Sequence, residues 1–101
     1  MSQPESKLSR KIMDALRLEG YFAFKVHGSE YMMAGLPDII VCADGHFIGL
    51  ETKLPSTRNN VSPRQVYVHT QIGHAKGKAA VVCSPAEAVR VVQEWVGERN
   101  A

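Results

Sequence analysis

Apolar residues recur every three or four positions near the start of the chain, which predicts an amphipathic first helix. The helix is expected to begin near Pro4 and to end at Gly20, because glycine is common just after a helix. Its apolar positions are Leu8, Ile12, Ala15 and Leu16. For the charged opposite face, a solvated surface is the simpler interpretation and phosphate contact the alternative. The aromatic and β-branched residues 21–26 predict a first strand.

Residues 35–53 predict the centre of the fold, two adjacent strands joined by a tight turn at Asp44-Gly45. Asp38 begins the first of these strands, and Glu51 and Lys53 end the second, so antiparallel pairing returns them toward Asp38. Side chains alternate along a strand, which puts Glu51 and Lys53 on one face. Charged groups at the ends of otherwise apolar strands are costly in a core. They are the groups that a metal-assisted site requires.

Two Ser-Pro pairs predict helix starts, with serine as the cap and proline at the first helical position. Ser62-Pro63 begins a middle helix, and Ser84-Pro85 begins the last one. Between these helices, residues 78–83 form an apolar strand that we expect in the interior of the sheet. The order αβββαβα predicts an α/β fold with a central mixed four-stranded sheet flanked by helices. The length suits one compact domain, assigned to residues 1–101.

The composition is that of a folded domain, with 45% hydrophobic and 22% charged residues. A net charge of +2 favours anionic partners but does not by itself make a nucleic-acid-binding protein. No apolar run approaches the roughly 20 residues that span a bilayer, and the amino terminus lacks a signal-peptide segment. We therefore expect a cytoplasmic protein with no membrane partner. Cys42 and Cys83 lack zinc-site spacing and are expected to be reduced and buried, a disulfide between them being the less favoured alternative.

An acid-x-lysine tripeptide is a weak signal by itself, because Glu5-Ser6-Lys7 repeats it at a helix start. Glu51-Thr52-Lys53 has a more specific context. It is preceded by Gly35-Leu36-Pro37-Asp38 and followed by Ser62-Pro63-Arg64-Gln65, and an apolar strand that begins at Gly77 leads into a closing helix. With these pieces, the sequence resembles the virus-type replication and repair nuclease domain, VRR-NUC, of the PD-(D/E)XK nuclease superfamily. The resemblance covers nearly the whole chain.

The resemblance implies a metal site. Asp38 and Glu51 would bind one or two Mg²⁺ or Mn²⁺ ions, with the backbone carbonyl of Thr52 as another oxygen ligand. Glu5, near the start of the first helix, would complete the metal shell through water. The alternative for Glu5 is a helix-start acid favoured only by the dipole.

The resemblance also implies phosphodiester hydrolysis, in which a water molecule activated by the metal attacks a backbone phosphorus in line with the leaving oxygen. Lys53 would position or activate that water, or neutralise the phosphate oxygens. Gln65 would orient Lys53, the water or the phosphate, and a hydrogen bond to its own helix start is the alternative. The expected catalytic residues are Asp38, Glu51, Lys53 and Gln65. A surface ion pair between Glu51 and Lys53 is an alternative that the surrounding motifs disfavour.

Basic residues in and beyond the loop after Lys53 predict a path for DNA phosphates. They are Arg58 and Arg64, with Lys76 and Lys78 farther away. No aromatic stacking array accompanies them, which favours recognition of backbone and shape over base sequence. His27, in the loop after the first strand, is expected to have a surface or packing role, and contact with substrate is its alternative.

The leading hypothesis is a metal-dependent DNA endonuclease acting on branched or Holliday-junction DNA during replication, recombination or repair, similar to the stand-alone VRR-NUC enzymes of viruses. A viral protein of this kind would act in the host cytoplasm. Matched nicks on two strands require two sites, so we expect a two-fold homodimer, with the first helix and residues 31–34 as candidate contacts. Two alternatives stay open. They are a non-catalytic nucleic-acid-binding subunit on the same fold and a nuclease that acts on ordinary duplex DNA.

Overall fold

The computed structural model describes residues 4–101, which form three helices and four strands in the predicted order. The helices are α1 (Pro4–Leu18), α2 (Pro63–His74) and α3 (Pro85–Asn100), the strands are β1 (Phe22–Lys25), β2 (Ile39–Ala43), β3 (His46–Thr52) and β4 (Lys78–Val82), and one 3₁₀ turn spans Pro55–Thr57. None of these helices combines the length and the apolar character that crossing a membrane requires. The sequence predicts no signal peptide in the amino-terminal segment. Residues 1–3 of that segment lie outside the described residues.

The central hairpin is closed by a two-residue turn that matches its sequence. Asp44 and Gly45 have φ angles of 52° and 80°, the pair of positive values that defines a type I′ turn and suits the right-handed twist of the strands. The turn sets the register in which Ile39 pairs with Leu50. The turn therefore also sets how the other end of the hairpin is aligned, and the predicted metal ligands lie at that end.

The sheet has the order β1-β2-β3-β4, antiparallel from β1 to β3 and parallel between β3 and β4. The predicted α/β class and mixed four-stranded sheet are confirmed. The interior position predicted for β4 is wrong, because β4 is an edge strand. Its side chains are nevertheless at least half-buried, since α2 and α3 both contact it. Packing against helices, and not pairing on both edges, accounts for its apolar sequence.

The core lies between α1, α3 and one face of the sheet. Alternate residues of β2 and β3 are fully buried there, as the period of a strand predicts. These sheet residues are Ile39, Val41, Ile48 and Leu50, and the helices contribute Ile12, Leu16, Ala88 and Val92. The predicted apolar stripe of α1 therefore faces the core.

The opposite face of the sheet is covered by α2 at a position where only glycine fits. A Cβ atom added to Gly49 would lie 2.6 Å from Cγ of Pro37 and 3.5 Å from Cδ1 of Ile72. Gly49 alternates along β3 with Ile48 and Leu50, which face the core. The contact with Ile72 therefore puts α2 on the other side of the sheet from α1 and α3.

No helix covers the part of this second face that β1 and β2 form. Cys42 pairs with Phe22 on one side and Phe47 on the other, so the three side chains make a row across three strands. Phe22, Phe24 and Phe47 are 67%, 43% and 49% exposed. Cys42 is also exposed, which makes its predicted burial wrong, and neither cysteine forms a disulfide. The row is an uncharged apolar surface in contact with solvent.

Both predicted Ser-Pro helix starts are confirmed. The Ser62 hydroxyl accepts a hydrogen bond from the amide of Gln65, and the Ser84 hydroxyl accepts one from the amide of Glu87. Each helix begins with proline, which needs no amide partner there. These caps set where the two helices leave the sheet.

Gly49→Ala is expected to destabilise the fold by about 1–3 kcal/mol, because the added methyl group must displace the Pro37 ring or shift β3. Gly97→Ala in α3 is the matched control, since its added methyl meets no atom within 4 Å and alanine favours a helix by up to about 1 kcal/mol. Urea unfolding followed by circular dichroism measures both. A Gly49→Ala protein as stable as the wild type would contradict the close contact.

Candidate active site

Asp38 is held between two strands by hydrogen bonds. Its carbonyl oxygen accepts a hydrogen bond from the Val26 amide at 2.7 Å, and its Oδ2 accepts one from the Thr52 amide at 2.8 Å. Backbone pairing of β2 with β3 stops at Ile39. The Asp38 carboxylate continues that pairing for one step, and this fixes it beside the end of β3.

Glu51 is a buried acid on β3, directly before Thr52. Its side chain is 3% exposed, and its Oε1 is buried without a hydrogen-bond partner among residues 4–101. The Lys53 Nζ atom lies 3.9 Å from Glu51 Oε2, with the lysine side chain 15% exposed. The structure thus brings the carboxylates of Asp38 and Glu51 together with one ammonium group. Their catalytic roles stay predictions.

The environment of Glu51 raises its pKa from its ordinary value to about 8. The largest cause is burial, which disfavours the charged form, followed by the negative charge of Asp38 and a hydrogen bond with it. The charge of Lys53 acts in the opposite direction but does not compensate. At neutral pH and without a cation, Glu51 therefore holds a proton.

The donor set fits a hard divalent cation that keeps part of its water shell. Glu51 offers a buried oxygen without a partner among residues 4–101, and burial and the Asp38 charge raise its pKa more than the Lys53 charge lowers it. Among residues 4–101, no three His, Cys, Asp or Glu side chains cluster closely enough to hold an ion by themselves. Mg²⁺ is commonly bound by one or two carboxylates and several waters. Asp38 and Glu51 are sufficient for such a site, which the Thr52 carbonyl is predicted to complete.

Glu5 reaches this site electrostatically. It lies in the first turn of α1, half-buried, and its negative charge adds a small contribution to the raised pKa of Glu51. α1 also contacts β3. Glu5 is therefore close enough to act on the site through charge, and its role as a ligand through water stays a prediction.

Gln65 is engaged with its own helix start. The side-chain oxygen of Gln65 accepts a hydrogen bond from the backbone amide of Ser62 at 2.9 Å. The backbone amide of Gln65 donates a hydrogen bond to the Ser62 hydroxyl at 3.1 Å. This reciprocal pair is a capping box. The structural alternative for Gln65 is thus present in the fold, and its catalytic role stays a prediction.

The structure uses the two predicted DNA-binding arginines for internal contacts. Arg58 donates to both carboxylate oxygens of Glu87, at 3.0 and 2.6 Å, and to Cys83 Sγ at 3.2 Å. Arg64 donates to the Ala34 carbonyl at 3.2 Å and stacks over Tyr67. The Arg58 charge is already paired with Glu87, which leaves Arg58 poorly suited to bind a phosphate.

The two predicted DNA-binding lysines lie away from the carboxylates. Lys78 starts β4 and pairs with Ile48, whereas Glu51 pairs with Val81 near the other end of that strand. The Lys78 ammonium lies over the Trp95 ring. Lys76 precedes β4 in a left-handed conformation, with φ 75°. Both lysines therefore belong to the far end of the sheet.

Sequence reasoning missed Ser9. This residue lies on α1 with 1% exposure, and its hydroxyl is buried without a hydrogen-bond partner among the described residues. It stands three and seven positions before Ile12 and Leu16, on the stripe that faces the interior. A hydroxyl on an apolar stripe was the signal that could have singled it out.

Comparison with known proteins identifies the fold. A solved structure described as a "VRR_NUC domain" superposes with a TM-score of 0.73 and 19% sequence identity, covering 91% of this chain and 97% of that chain. This chain has the VRR-NUC fold. The resemblance inferred from the motifs is therefore confirmed at the level of a nuclease-family fold. No family model and no curated protein matches the sequence.

The stability of the metal-free protein is expected to fall as pH rises toward 8. Folded Glu51 keeps its proton to about pH 8, whereas the unfolded side chain loses it near pH 4.3, so the folded state binds more protons in between. Between pH 6.5 and 8 the loss is on the order of 2 kcal/mol.

Glu51→Gln, which has no proton to lose, should remove this contribution. Urea unfolding in EDTA at several pH values, with wild type and variant compared at each, measures the difference. Parallel pH profiles for the two proteins would show that Glu51 has an ordinary pKa.

Proposed function

We propose that this chain is a metal-dependent endonuclease that hydrolyses phosphodiester bonds in DNA, using Mg²⁺ or Mn²⁺. The observation that carries the proposal is the buried Glu51 carboxylate, with its pKa raised to about 8 and one oxygen without a partner, beside the Asp38 carboxylate. A protein does not stabilise two adjacent acids in this way for packing alone, because burial of unpaired carboxylates is costly. A bound cation removes that cost.

The residues of the site have different roles in the proposed reaction. Asp38 and Glu51 hold the cation, and the amide of Thr52 orients the Asp38 carboxylate through its 2.8 Å hydrogen bond. The cation, when bound, supplies Lewis-acid chemistry and lowers the pKa of a water molecule. Lys53, 3.9 Å from Glu51, presents its ammonium to the phosphate oxygens and stabilises the negative charge that grows during attack.

Branched DNA is the proposed substrate class, with Holliday junctions as the leading example. No aromatic residue lines the cavity that contains Asp38, so base stacking has little part in substrate selection there. Recognition then depends on the phosphate backbone and on DNA shape. A two-fold arrangement of two sites provides a geometry that matches the two equivalent strands of a junction.

The proposed homodimer uses the uncovered apolar face of the sheet, defined by Phe22, Phe24 and Phe47. With about 200 Å² for a full aromatic side chain, their exposed fractions of 67%, 43% and 49% leave roughly 300 Å² of apolar surface in water. A patch of this size is within the range of the largest apolar patch on a monomeric protein, and such patches are often functional. Since the patch carries no charge, it can pack against its own copy without burying an unpaired ion.

Asp38→Asn and Lys53→Met are each expected to lower the cleavage rate about 100-fold or more, because each removes a charge that acts on the transition state. Labelled four-way junction, flap, single-stranded and duplex DNA are incubated with Mg²⁺, Mn²⁺ or EDTA, and cleavage and binding are measured separately. DNA binding should persist in both variants. The control is Arg90→Gln, an exposed residue on α3, which should cut at the wild-type rate.

The outcomes separate the alternatives. Cutting in EDTA, or full activity in Asp38→Asn, would overturn the mechanism. Binding to every substrate without cutting would identify a non-catalytic nucleic-acid-binding subunit on this fold. Equal cutting of duplex and branched DNA would identify a nuclease for ordinary duplex.

Phe47→Lys is expected to shift the protein from dimer to monomer, because it places a charge in the proposed apolar interface. Sedimentation velocity at micromolar concentration measures the change. Leu18→Lys is the matched control, since Leu18 is 86% exposed on α1 and lies outside the phenylalanine face. A dimer that survives Phe47→Lys and dissociates with Leu18→Lys would move the interface to α1.

A further inference from the structure

A groove runs between α1 and the end of β1, on the side of the sheet that packs against α1 and α3. Its volume is about 420 Å³, and its lining residues are Ser6, Ser9, Arg10, Met13, Lys25 and His27. None of them belongs to the predicted DNA path in the loop after β3. No acidic side chain lines the groove.

Both walls of the groove lead to the candidate active site. On the helix wall, Ser6 directly follows Glu5, whose charge acts on Glu51. On the strand wall, His27 directly follows Val26, whose amide donates to the Asp38 carbonyl at 2.7 Å. Each wall of the groove therefore continues directly into a residue that acts on Glu51 or contacts Asp38.

The basic side chains of the groove make no contact within residues 4–101 that would compete with a ligand. Arg10, Lys25 and His27 make no side-chain hydrogen bond or ion pair with any residue between 4 and 101. Arg58 differs, because Glu87 neutralises it. Arginine and lysine offer donors only, so the ligand they recognise is an anion or another acceptor.

Ser9 adds a donor that the fold leaves unused. Ser9 lines the groove, and its hydroxyl oxygen is buried beneath the groove surface without a partner among the described residues. A buried hydroxyl without a hydrogen bond costs about 1–3 kcal/mol. An acceptor oxygen bound in the groove would recover that cost.

We propose that the groove between α1 and β1 binds the phosphodiester backbone of the nucleic-acid strand, on one side of the bond at the candidate active site. The inference rests on the proposed function, since it assigns a substrate path to that site. Arg10 and Lys25 neutralise phosphates, and the hydroxyl of Ser9 donates to a phosphate oxygen. The contacts of Arg10, Lys25 and Ser9 are made to phosphates, so they carry no base-sequence information.

The geometry along α1 suits consecutive phosphates. Arg10 stands five residues after Glu5, which places it about 7.5 Å farther along the helix axis. A strand that enters at the carboxylates therefore meets Ser6 first and Arg10 next. The proposed path follows α1. For the charged face of this helix, the sequence allowed a solvated surface or phosphate contact, and the proposal favours phosphate contact.

The test measures DNA binding separately from cleavage. Fluorescence anisotropy of labelled four-way junction DNA is recorded in EDTA over a series of salt concentrations. Arg10→Gln and Lys25→Gln are each expected to weaken binding and to reduce the slope of log Kd against log salt by about 1, the value for one lost phosphate contact. Arg90→Gln is the matched control and should keep the wild-type affinity and slope.

Ser9→Ala distinguishes ligand binding from a structural role. The variant is expected to bind DNA about 3- to 10-fold more weakly, because one donor to phosphate is lost. Its urea unfolding midpoint should stay at or above that of the wild type, since alanine removes a buried polar atom without a partner. Wild-type affinity with unchanged stability would remove Ser9 from the site.

Failure of the groove and failure of the nuclease proposal give different results. Arg10→Gln and Lys25→Gln proteins that match the wild type in affinity and slope would overturn the groove and leave the nuclease proposal standing. Weaker binding by these variants, in a protein that cuts no substrate with either metal, would support the groove and overturn the nuclease proposal. A wild-type protein that does not bind DNA would overturn both.

Discussion

A carboxylate in place of a backbone acceptor is the interaction on which the structure depends. The Thr52 amide donates to Asp38 Oδ2 at 2.8 Å, just beyond the last backbone pair of the hairpin. That bond forms only in the observed register, which the turn at Asp44 and Gly45 establishes. A slip by one residue would move Glu51 to the core face and separate the two acids. The register that fills the core is therefore also the register that builds the site.

The hairpin brings like charges together in a place that water hardly reaches. Burial and the neighbouring Asp38 raise the pKa of Glu51 to about 8, and one lysine 3.9 Å away does not offset them. The site consequently contains a buried acid whose Oε1 has no hydrogen-bond partner among residues 4–101. Any cation that binds there stabilises the folded state over the unfolded one, so metal affinity and stability are coupled. Metal binding at this site would also release the Glu51 proton.

Local interactions made much of the fold predictable from the sequence. The Asp-Gly turn, the two Ser-Pro helix starts and the alternation in β2 and β3 depend on residues a few positions apart, and all are present. The neighbourhood of Asp38 and Glu51 followed from the hairpin alone. Features set by distant partners were not predictable. The edge position of β4 depends on where the other strands lie, and the exposure of Cys42 depends on how far α2 reaches across the sheet.

The same limit applies to the candidate site. Arg58 is paired with Glu87, which lies 29 residues away, and no pattern near Arg58 indicates that pairing. Gln65 illustrates a different difficulty, because a capping box and a catalytic glutamine place the same residue at the same position of a helix. The unpaired Ser9 hydroxyl depends on the packing of α1 against the sheet. The sequence could therefore predict that the two acids and the lysine of the candidate site lie together, but not the contacts of Arg58 and Ser9.

Because Gly49 and Pro37 are in close contact, the residue at one position limits which residues are possible at the other. Pro37 immediately precedes Asp38, and its ring occupies the space that any side chain at position 49 would need. A larger residue at 49 would be tolerated only in descendants that had already exchanged Pro37 for something smaller. Such an exchange would loosen the backbone that aims the Asp38 carboxylate. In an alignment of related sequences, the two positions should therefore change together or not at all, and their joint change should accompany a lost or relocated first acid.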